Sequence, residues 1–260
     1  MGLFMHAVNS FLPDKDYLPV AMPTTDVQVL QVLTRRRSVL RRYSELARVL
    51  VAGDGAAEPV INGDAPVVDA SGTSRQTVKA GIGLGIVSSI LKALGADAGI
   101  QFSSAAAHSV EYGYADVVSD RVDLASLDAW LAEADFQPGL RNITELLAAE
   151  KVYVIVAALK ARALSVALLD SNQNGVAVDV PAIQAAVGAK VSVSADSQRS
   201  YQLTFRGPTA LTVAAKAAQL RFDGRFWVNE RPVTGAEIRR IPTLGSGSAS
   251  YLDGSELDLG

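Results

Sequence analysis

A long apolar stretch, VKAGIGLGIVSSILKALGADAGI, occupies residues 78–100 and raises the question of whether the chain is built for water or for a bilayer. A membrane-spanning helix needs about 20 mainly apolar residues with few charges. This stretch carries five glycines, and Lys92 and Asp97 lie inside it. Apolar residues recur at helical spacing from Leu84 to Leu94, and Gly95 is a suitable helix stop. The stretch therefore predicts a core helix rather than a constitutive span.

Length and composition limit the remaining possibilities. A chain of 260 residues, 49% of them hydrophobic, can bury one sizeable core, and we expect one domain. Lys+Arg 24 against Asp+Glu 27 argues against a strongly basic nucleic-acid protein. The absence of cysteine excludes disulfides, thiolate metal sites and a cysteine nucleophile. Since MGLFMHAVNSF lacks a secretory pattern and His6 spoils a myristoylation signal, a cytoplasmic product is expected.

Hydrophobic period and turn residues divide the rest of the chain into short elements. An extended segment is expected at 17–23, a strand at 26–33 and a helix over 38–52. Two further helices are predicted in DLASLDAWLAEAD, which begins at Asp123 and has that residue or Ser126 as its cap, and in NITELLAAE.

Most of the second half of the chain reads as strands. Residues 99–119 predict either a hairpin or one long bent strand. The start of KVYVIVAALKARALSVALL, residues 151–169, is β-branched, whereas its Ala-rich half leaves helix and strand both open. Strands follow in AKVSVSAD, YQLTFRG, TALTVAAKAAQLRF and RFWVN. This irregular mixture predicts an α+β fold with a twisted, largely antiparallel sheet and surrounding helices.

Signals for catalysis, cofactors or metals are weak. His6 and His108 lie in no recognised catalytic motif. The glycines at 81–85 do not complete a dinucleotide or phosphate loop. DSNQNG, residues 170–175, matches the first half of a calcium loop, but Pro181 stands where the bidentate glutamate is required, so a hairpin turn is preferred. We therefore expect no enzyme, no cofactor and no metal.

Basic residues concentrate in RRRSVLRR, inside the helix expected over 38–52 and just before it. The cluster is either a solvated helix face or a surface attracted to anionic lipid, to which each basic group contributes about 1 kcal/mol. Its members are Arg35, Arg36, Arg37, Arg41 and Arg42.

The C-terminal segment looks separable from the body. Residues 241–260 follow Arg239 and Arg240, which offer two bonds to a trypsin-like protease, and contain the flexible linker GSGSAS. The segment has three carboxylate side chains and no Lys or Arg, so its removal would take the formal charge from −3 to 0. A body of residues 1–240 with a short inhibitory peptide is one interpretation, and an inconsequential disordered end is the other. The anchoring side chains of such a peptide would be Tyr251, Leu252, Leu257 and Leu259.

Four stretches in order resemble the bacterial gasdermins, prokaryotic relatives of the animal pore-forming gasdermins. They are YLPV with DVQVLQVL, GLGIVSSILKALGADAGI, VEYGYADV, and YQLTFRGPTALTVAAKAAQLRFDGRFWV. The resemblance runs over nearly the whole chain. It implies a pore-forming effector that is cytoplasmic and monomeric until a caspase-like or trypsin-like protease removes the C-terminal peptide. The body would then oligomerise into a large β-barrel pore in the inner membrane and kill the cell in antiphage defence.

The resemblance also assigns roles to segments. Residues 98–120 and 151–205 would extend into membrane hairpins, because strands in a bilayer must close into one barrel. The peptide would be cut at Arg239, Arg240 or Leu244. Bacterial gasdermins commonly carry a palmitoylated N-terminal cysteine, which MGLFMHAV lacks, so Leu3, Phe4 and the five arginines are the expected membrane contacts. The partners implied are the protease, membrane lipid and further copies of the chain, with no nucleic acid.

Two other functions remain open at this point. One is a soluble lipid- or ligand-binding module with a disordered tail, for which deletion of residues 241–260 would change nothing on membranes. The other is an enzyme built on paired carboxylates such as Asp116 and Asp120, although carboxylates so common on surfaces are usually just solvated charges.

Overall fold

A computed structural model describes residues 16–37, 39–53, 55–67, 72–77, 109–169, 192–195, 202–231, 233 and 237–239. The strands in these ranges are β1 Leu18–Thr24, β2 Gln31–Arg36, β3 Val39–Glu45, β4 Leu50–Ala52, β5 Ile61–Pro66, β6 Gly72–Thr77, β7 Ser109–Val122, β8 Ala134–Phe136, β9 Val152–Leu169, β10 Ser192–Ala195, β11 Gln202–Phe222, β12 Phe226–Asn229 and β13 Glu237–Arg239. The helices in the same ranges are α1 Leu124–Ala132 and α2 Arg141–Ala148, with a 3-10 turn at Leu46–Arg48.

Six of the described strands close into a ring. Going around it, β9 pairs with β11, β11 with β1, β1 with β13, β13 with β3, β3 with β2, and β2 again with β9. The two ladders of β13 are parallel, whereas the other four are antiparallel. A closed ring of strands encloses an interior, which side chains from every strand must fill.

One buried cluster supplies that interior, with side chains from all six ring strands. Leu33 and Leu40 of the β2–β3 hairpin, Ile155 of β9 and Ile238 of β13 are at most 1% exposed. Because successive side chains of a strand point to opposite faces, Tyr153 and Ile155 belong to this interior. The ring is therefore a packed core. The remaining ring members of the cluster are Leu18, Val20, Ala215 and Ala217.

A second buried cluster lies on the outer face of the ring, under the helices. Val152, Val154 and Val156 alternate along β9 with the interior residues and pack with α1 and α2. From the helices come Leu127, Trp130, Leu131, Ile143 and Leu147, which are all buried. β9 is thus buried on both faces at its start, which explains its continuous apolar sequence.

Beyond the ring, the long strands continue as an open sheet. β7 pairs antiparallel with β9 from Ser109 opposite Leu169 to Arg121 opposite Ala157. β5 and β6 lie one after the other along the outer side of β7, and β10 lies along β11. The sheet is largely antiparallel and carries α-helices on one face, so the predicted α+β fold class is confirmed.

Most of the elements predicted from the sequence are confirmed. The segment at 17–23 is extended, both helices are present, and Asp123 caps α1 by accepting a hydrogen bond from Ser126 N at 2.8 Å. The Ala-rich half of 151–169 is strand, as part of β9. Residues 109–122 form one long strand, β7. The stretch 78–100 and the NQNG turn lie outside the described residues.

The helix expected over 38–52 is wrong. Residues 39–45 form β3, and a 3-10 turn and β4 follow. Leu40 is buried inside the ring, whereas its neighbours Val39 and Arg41 are partly exposed, as expected for a strand, in which successive side chains point to opposite faces. A tight turn reverses the chain at Arg37, which adopts φ 54°.

Candidate functional site

The arginine cluster lies on the β2–β3 hairpin and not on a helix. Arg35 and Arg36 end β2, Arg37 forms the turn, and Arg41 and Arg42 lie on β3. Arg35 Nε donates to the Arg37 carbonyl oxygen at 3.0 Å, which ties the tip of the hairpin. Five cations therefore project from one narrow element, which we name the arginine hairpin, residues 35–42.

One carboxylate of the same hairpin partly balances these charges. Arg42 pairs with Glu45 at 3.0 Å, and both side chains are well exposed. A pair in this position contributes little to stability. The arginine hairpin remains a concentration of positive charge at an edge of the ring.

The end of the body is joined to this hairpin through β13. Ile238, which is 1% exposed, pairs with Leu40, and Arg239 pairs with Arg41. Two basic residues thus occupy paired backbone positions in this parallel ladder. The other predicted cleavage and peptide residues, Arg240, Leu244, Tyr251, Leu252, Leu257 and Leu259, and the predicted contacts Leu3 and Phe4, lie outside the described residues.

A second group of charges crosses the open sheet where it leaves the ring. Lys160 Nζ of β9 lies 2.7 Å from Asp120 Oδ2 of β7 and 2.9 Å from Asp64 Oδ1 of β5. Arg162 approaches the other oxygen of Asp64 at 3.5 Å. Lys160 and Arg162 are two residues apart on one strand and therefore share a face.

The group extends to β11 through a further ion pair. Arg206 and Asp116 are 3.2 Å apart, although β9 lies between their strands. Together the six side chains cross four neighbouring strands and carry no net charge. We name this group the charge belt: Asp64, Asp116, Asp120, Lys160, Arg162 and Arg206.

The backbone of β5 is distorted where it joins the belt. The β5–β7 register shifts between Asn62 and Ala65, and Asp64 adopts φ 51°. Its backbone N donates to Asp120 Oδ1 at 2.9 Å. The hydrogen bond from Lys160, followed by the charge of that residue, holds the pKa of Asp64 below its usual value. Both the backbone N–H and the carboxylate of Asp64 therefore bind other members of the belt.

The belt changes the interpretation of Asp116 and Asp120, the carboxylates proposed for an enzyme. Asp120 pairs with Lys160 of the neighbouring strand β9, and Asp116 pairs with Arg206 of β11, the next strand beyond β9. Sequence reasoning missed the belt because its members come from positions 64 to 206 and meet only through strand register. The available signal was the spacing of Lys160 and Arg162 in an otherwise apolar run.

Two searches of the described ranges returned nothing. No group of three or more His, Cys, Asp or Glu residues there is arranged to hold a metal ion. Among the helices in those ranges, none has the length and apolar character needed to cross a membrane.

Comparisons with known proteins point to one family. The model of the Bacterial Gasdermin Family matches residues 20–231. A gasdermin from Lysobacter enzymogenes is 31% identical over 220 residues, which cover 84% of this chain and 81% of the relative. A gasdermin from a Desulfuromonadales bacterium is 29% identical over 219 residues, which cover 84% of this chain and 82% of that relative.

A solved structure gives a further match. The structure of a bacterial gasdermin from Bradyrhizobium tropiciagri is 13% identical, covers 87% of this chain and 93% of that chain, and has a TM-score of 0.49. The family itself follows from the sequence matches, since the family model spans most of the chain and one relative is 31% identical along most of its length. The chain belongs to the bacterial gasdermin family.

Proposed function

We propose that this protein is a pore-forming effector and not an enzyme. The observation that carries the proposal is the length of its central strands, because β7, β9 and β11 have 14, 18 and 21 residues. A strand crosses a bilayer in about 9 to 11 residues. Each strand is therefore long enough to cross a bilayer, and β9 and β11 can do so while their other ends stay rooted in the ring.

Membrane entry by these strands requires many copies. In hydrocarbon every backbone N–H and C=O must be paired, so an inserted sheet has to close on itself. The described sheet of one copy ends in the open edges β5–β6 and β10. Pairing of such edges between successive copies gives a closed β-barrel, and the predicted hairpin regions 98–120 and 151–205 would supply its strands.

The C-terminal peptide, residues 241–260, is proposed to keep the body, residues 1–240, inactive. In the sequence the peptide begins just after β13, which pairs with β1 on one side and β3 on the other. A protease needs its substrate extended and unpaired, and Arg239 lies in a paired strand. This favours a cut past the end of β13, at Arg240 or Leu244, over a cut at Arg239.

The physiological setting follows the family resemblance. We propose that a caspase-like or trypsin-like protease of the same cell makes the cut during phage infection. The protein would be cytoplasmic before the cut and in the inner membrane after it, and the pore would kill the infected cell. Mass spectrometry of the product made by the partner protease would locate the new end.

Dye release from liposomes tests the central proposal. A variant with a protease site inserted between Arg240 and Leu244 is compared before and after cutting, with the wild-type chain, which lacks the inserted site, and the same protease as control. We expect release only after cutting. Intact liposomes despite a complete cut on a gel would instead support a binding module, and release by the uncut protein would contradict inhibition by the peptide.

A further inference from the structure

The charge belt divides the described sheet into a near side, toward the ring, and a far side. Side chains of β9 are buried on both sides, from Val152 to Leu159 on the near side and at Ala163, Leu164, Val166 and Ala167 on the far side. The far side consists of β6, β10, residues 109–115 of β7, 163–169 of β9 and 202–205 of β11. These five strand segments lie beyond the belt, away from the ring and the helices.

Far-side sequence is nearly free of charge. The described residues there include two charged ones, Arg75 on β6 and Glu111 on β7, and these occupy paired positions in the ladder. The belt, by contrast, puts six charges at one level across four strands.

Placing the charge belt inside the hydrocarbon core of a bilayer is unfavourable. Each Lys or Arg on the lipid face at mid-bilayer lowers the insertion equilibrium by roughly 30- to 700-fold, and the effect nearly vanishes at the interface. The belt also spans the β7–β9–β11 pairings, so it moves as one unit if those pairings persist in the membrane.

A polar run follows β9 in the sequence, at about the length of one bilayer crossing from the belt. Counting about 9 to 11 residues onward from Ala163 reaches residues 171–173, inside the run DSNQNG. β10, by contrast, lies antiparallel along β11, with Ala195 opposite Leu203. The sequence that continues β9 is therefore limited by the belt at one end and by this polar run at the other.

We propose that the charge belt is the waterline of the inserted protein, lying at the level of the phospholipid headgroups, with the parts of the predicted hairpin regions 98–120 and 151–205 that lie beyond the belt in the bilayer. This rests on the proposed pore function and deepens it, because it fixes how deep each copy enters. Since the belt carries three positive and three negative charges, zwitterionic headgroups suffice for it.

Depth-dependent fluorescence quenching tests the waterline. The chain has no cysteine, so single cysteines can be introduced and labelled with a fluorophore sensitive to polarity. Ile61 and Asn62 are exposed neighbours on opposite faces of β5, on the near side, and Ser165 and Val166 are neighbours on the far side. The variants are Ile61→Cys, Asn62→Cys, Ser165→Cys and Val166→Cys, the last labelled while unfolded and then refolded.

Each labelled protein is cut and added to phosphatidylcholine vesicles that carry a nitroxide either on the headgroup or deep on the acyl chain. Only variants that release dye are compared, and Leu164→Cys replaces Val166→Cys if that variant is inactive. We expect the acyl nitroxide to quench one of the two far-side labels and neither near-side label. Quenching of Ile61 or Asn62 by the acyl nitroxide, or of neither far-side label in leaking vesicles, would overturn the waterline. Failure of the unlabelled protein with the inserted protease site to cause leakage after complete cutting would overturn the pore function itself.

Discussion

At the residue scale, the belt depends on one aspartate in an unusual conformation. Asp64 adopts φ 51°, which Asp and Asn tolerate better than most residues. Its side chain binds Lys160 at 2.9 Å and approaches Arg162 at 3.5 Å. The carboxylate therefore links the sheet edge to β9.

Replacing Asp64 by Asn should remove a pH-dependent part of the stability. The folded pKa of Asp64 is lowered from 3.8, first by the hydrogen bond from Lys160 and then by its charge. Its contribution is therefore complete above pH 3.8 and is lost as pH falls further, through the folded pKa. Urea unfolding from pH 6 downward should show a weaker fall for Asp64→Asn than for wild type. The exposed Asp128 of α1 provides the control Asp128→Asn, which should follow the wild-type curve.

The cap of α1 makes a second prediction for a single residue. Asp123 accepts the hydrogen bond from Ser126 N, and Ser126 Oγ accepts one from Val60 N at 2.9 Å. Asp123→Ala should lower the free energy of unfolding by about 1 kcal/mol, since it leaves an N-terminal helix donor without its cap. Asp128→Ala, within the same helix, is the matched control. Equal midpoints for the two variants in urea would contradict the capping role.

Sequence reasoning limited the cap to Asp123 or Ser126 but gave no sign of the belt, and the reason is physical. The Asp123 cap is a local pattern of four residues and can be recognised without tertiary structure. The pair between Lys160 and Asp64 joins positions 96 apart in sequence and exists only because β5 and β9 both flank β7. Side chains brought together by strand register leave no local signature.

At the element scale, β3 shows how a pattern can mislead. Tyr43, Leu46 and Leu50 recur at helical spacing, but Tyr43 is exposed on β3, whereas Leu46 and Leu50 pack under the helices. Three separate elements with different partners were thus read as one. β13 has the opposite problem, since three residues are too few to show any period.

β13 should hold the inhibitory peptide to the body. Ile238→Ala is expected to cost about 2 to 5 kcal/mol of stability, because the side chain is buried inside the ring. Ile155→Ala removes the same atoms from the same cluster but leaves β13 intact. At matched stability, we expect the uncut Ile238→Ala protein to release dye from liposomes and the uncut Ile155→Ala protein to retain it. Equal leakage from both would mean that loss of stability alone opens the protein.

At the scale of the whole molecule, the ring joins both ends of the described chain. β1 and β3, from the first 45 residues, hold β13 at 237–239 between them. The sequence predicts the α+β class, because most strands and both helices have local signals. The closed ring could not be predicted, because two of its ladders join the last described strand to the first part of the chain.

This closure fixes where the charges of the molecule meet. The arginine hairpin lies beside the point at which the peptide begins, and the peptide carries Asp253, Glu256 and Asp258 without a cation. Removing the peptide takes the formal charge from −3 to 0 and leaves the five arginines in place. The cut body should therefore be attracted to anionic membranes through this hairpin.

The double variant Arg36→Gln, Arg41→Gln tests that attraction. Two basic groups at about 1 kcal/mol each predict a roughly thirtyfold lower partition of the cut protein onto phosphatidylserine vesicles. Partition onto phosphatidylcholine vesicles should be unchanged, and the difference should shrink as salt increases, because exposed charges are screened. The control Arg225→Gln, Arg231→Gln removes two exposed arginines, one just before β12 and one just after it, and has the same net charge as the test variant. Cosedimentation measures both variants, and an equal loss for the control pair would mean that net charge, and not the hairpin, governs the attraction.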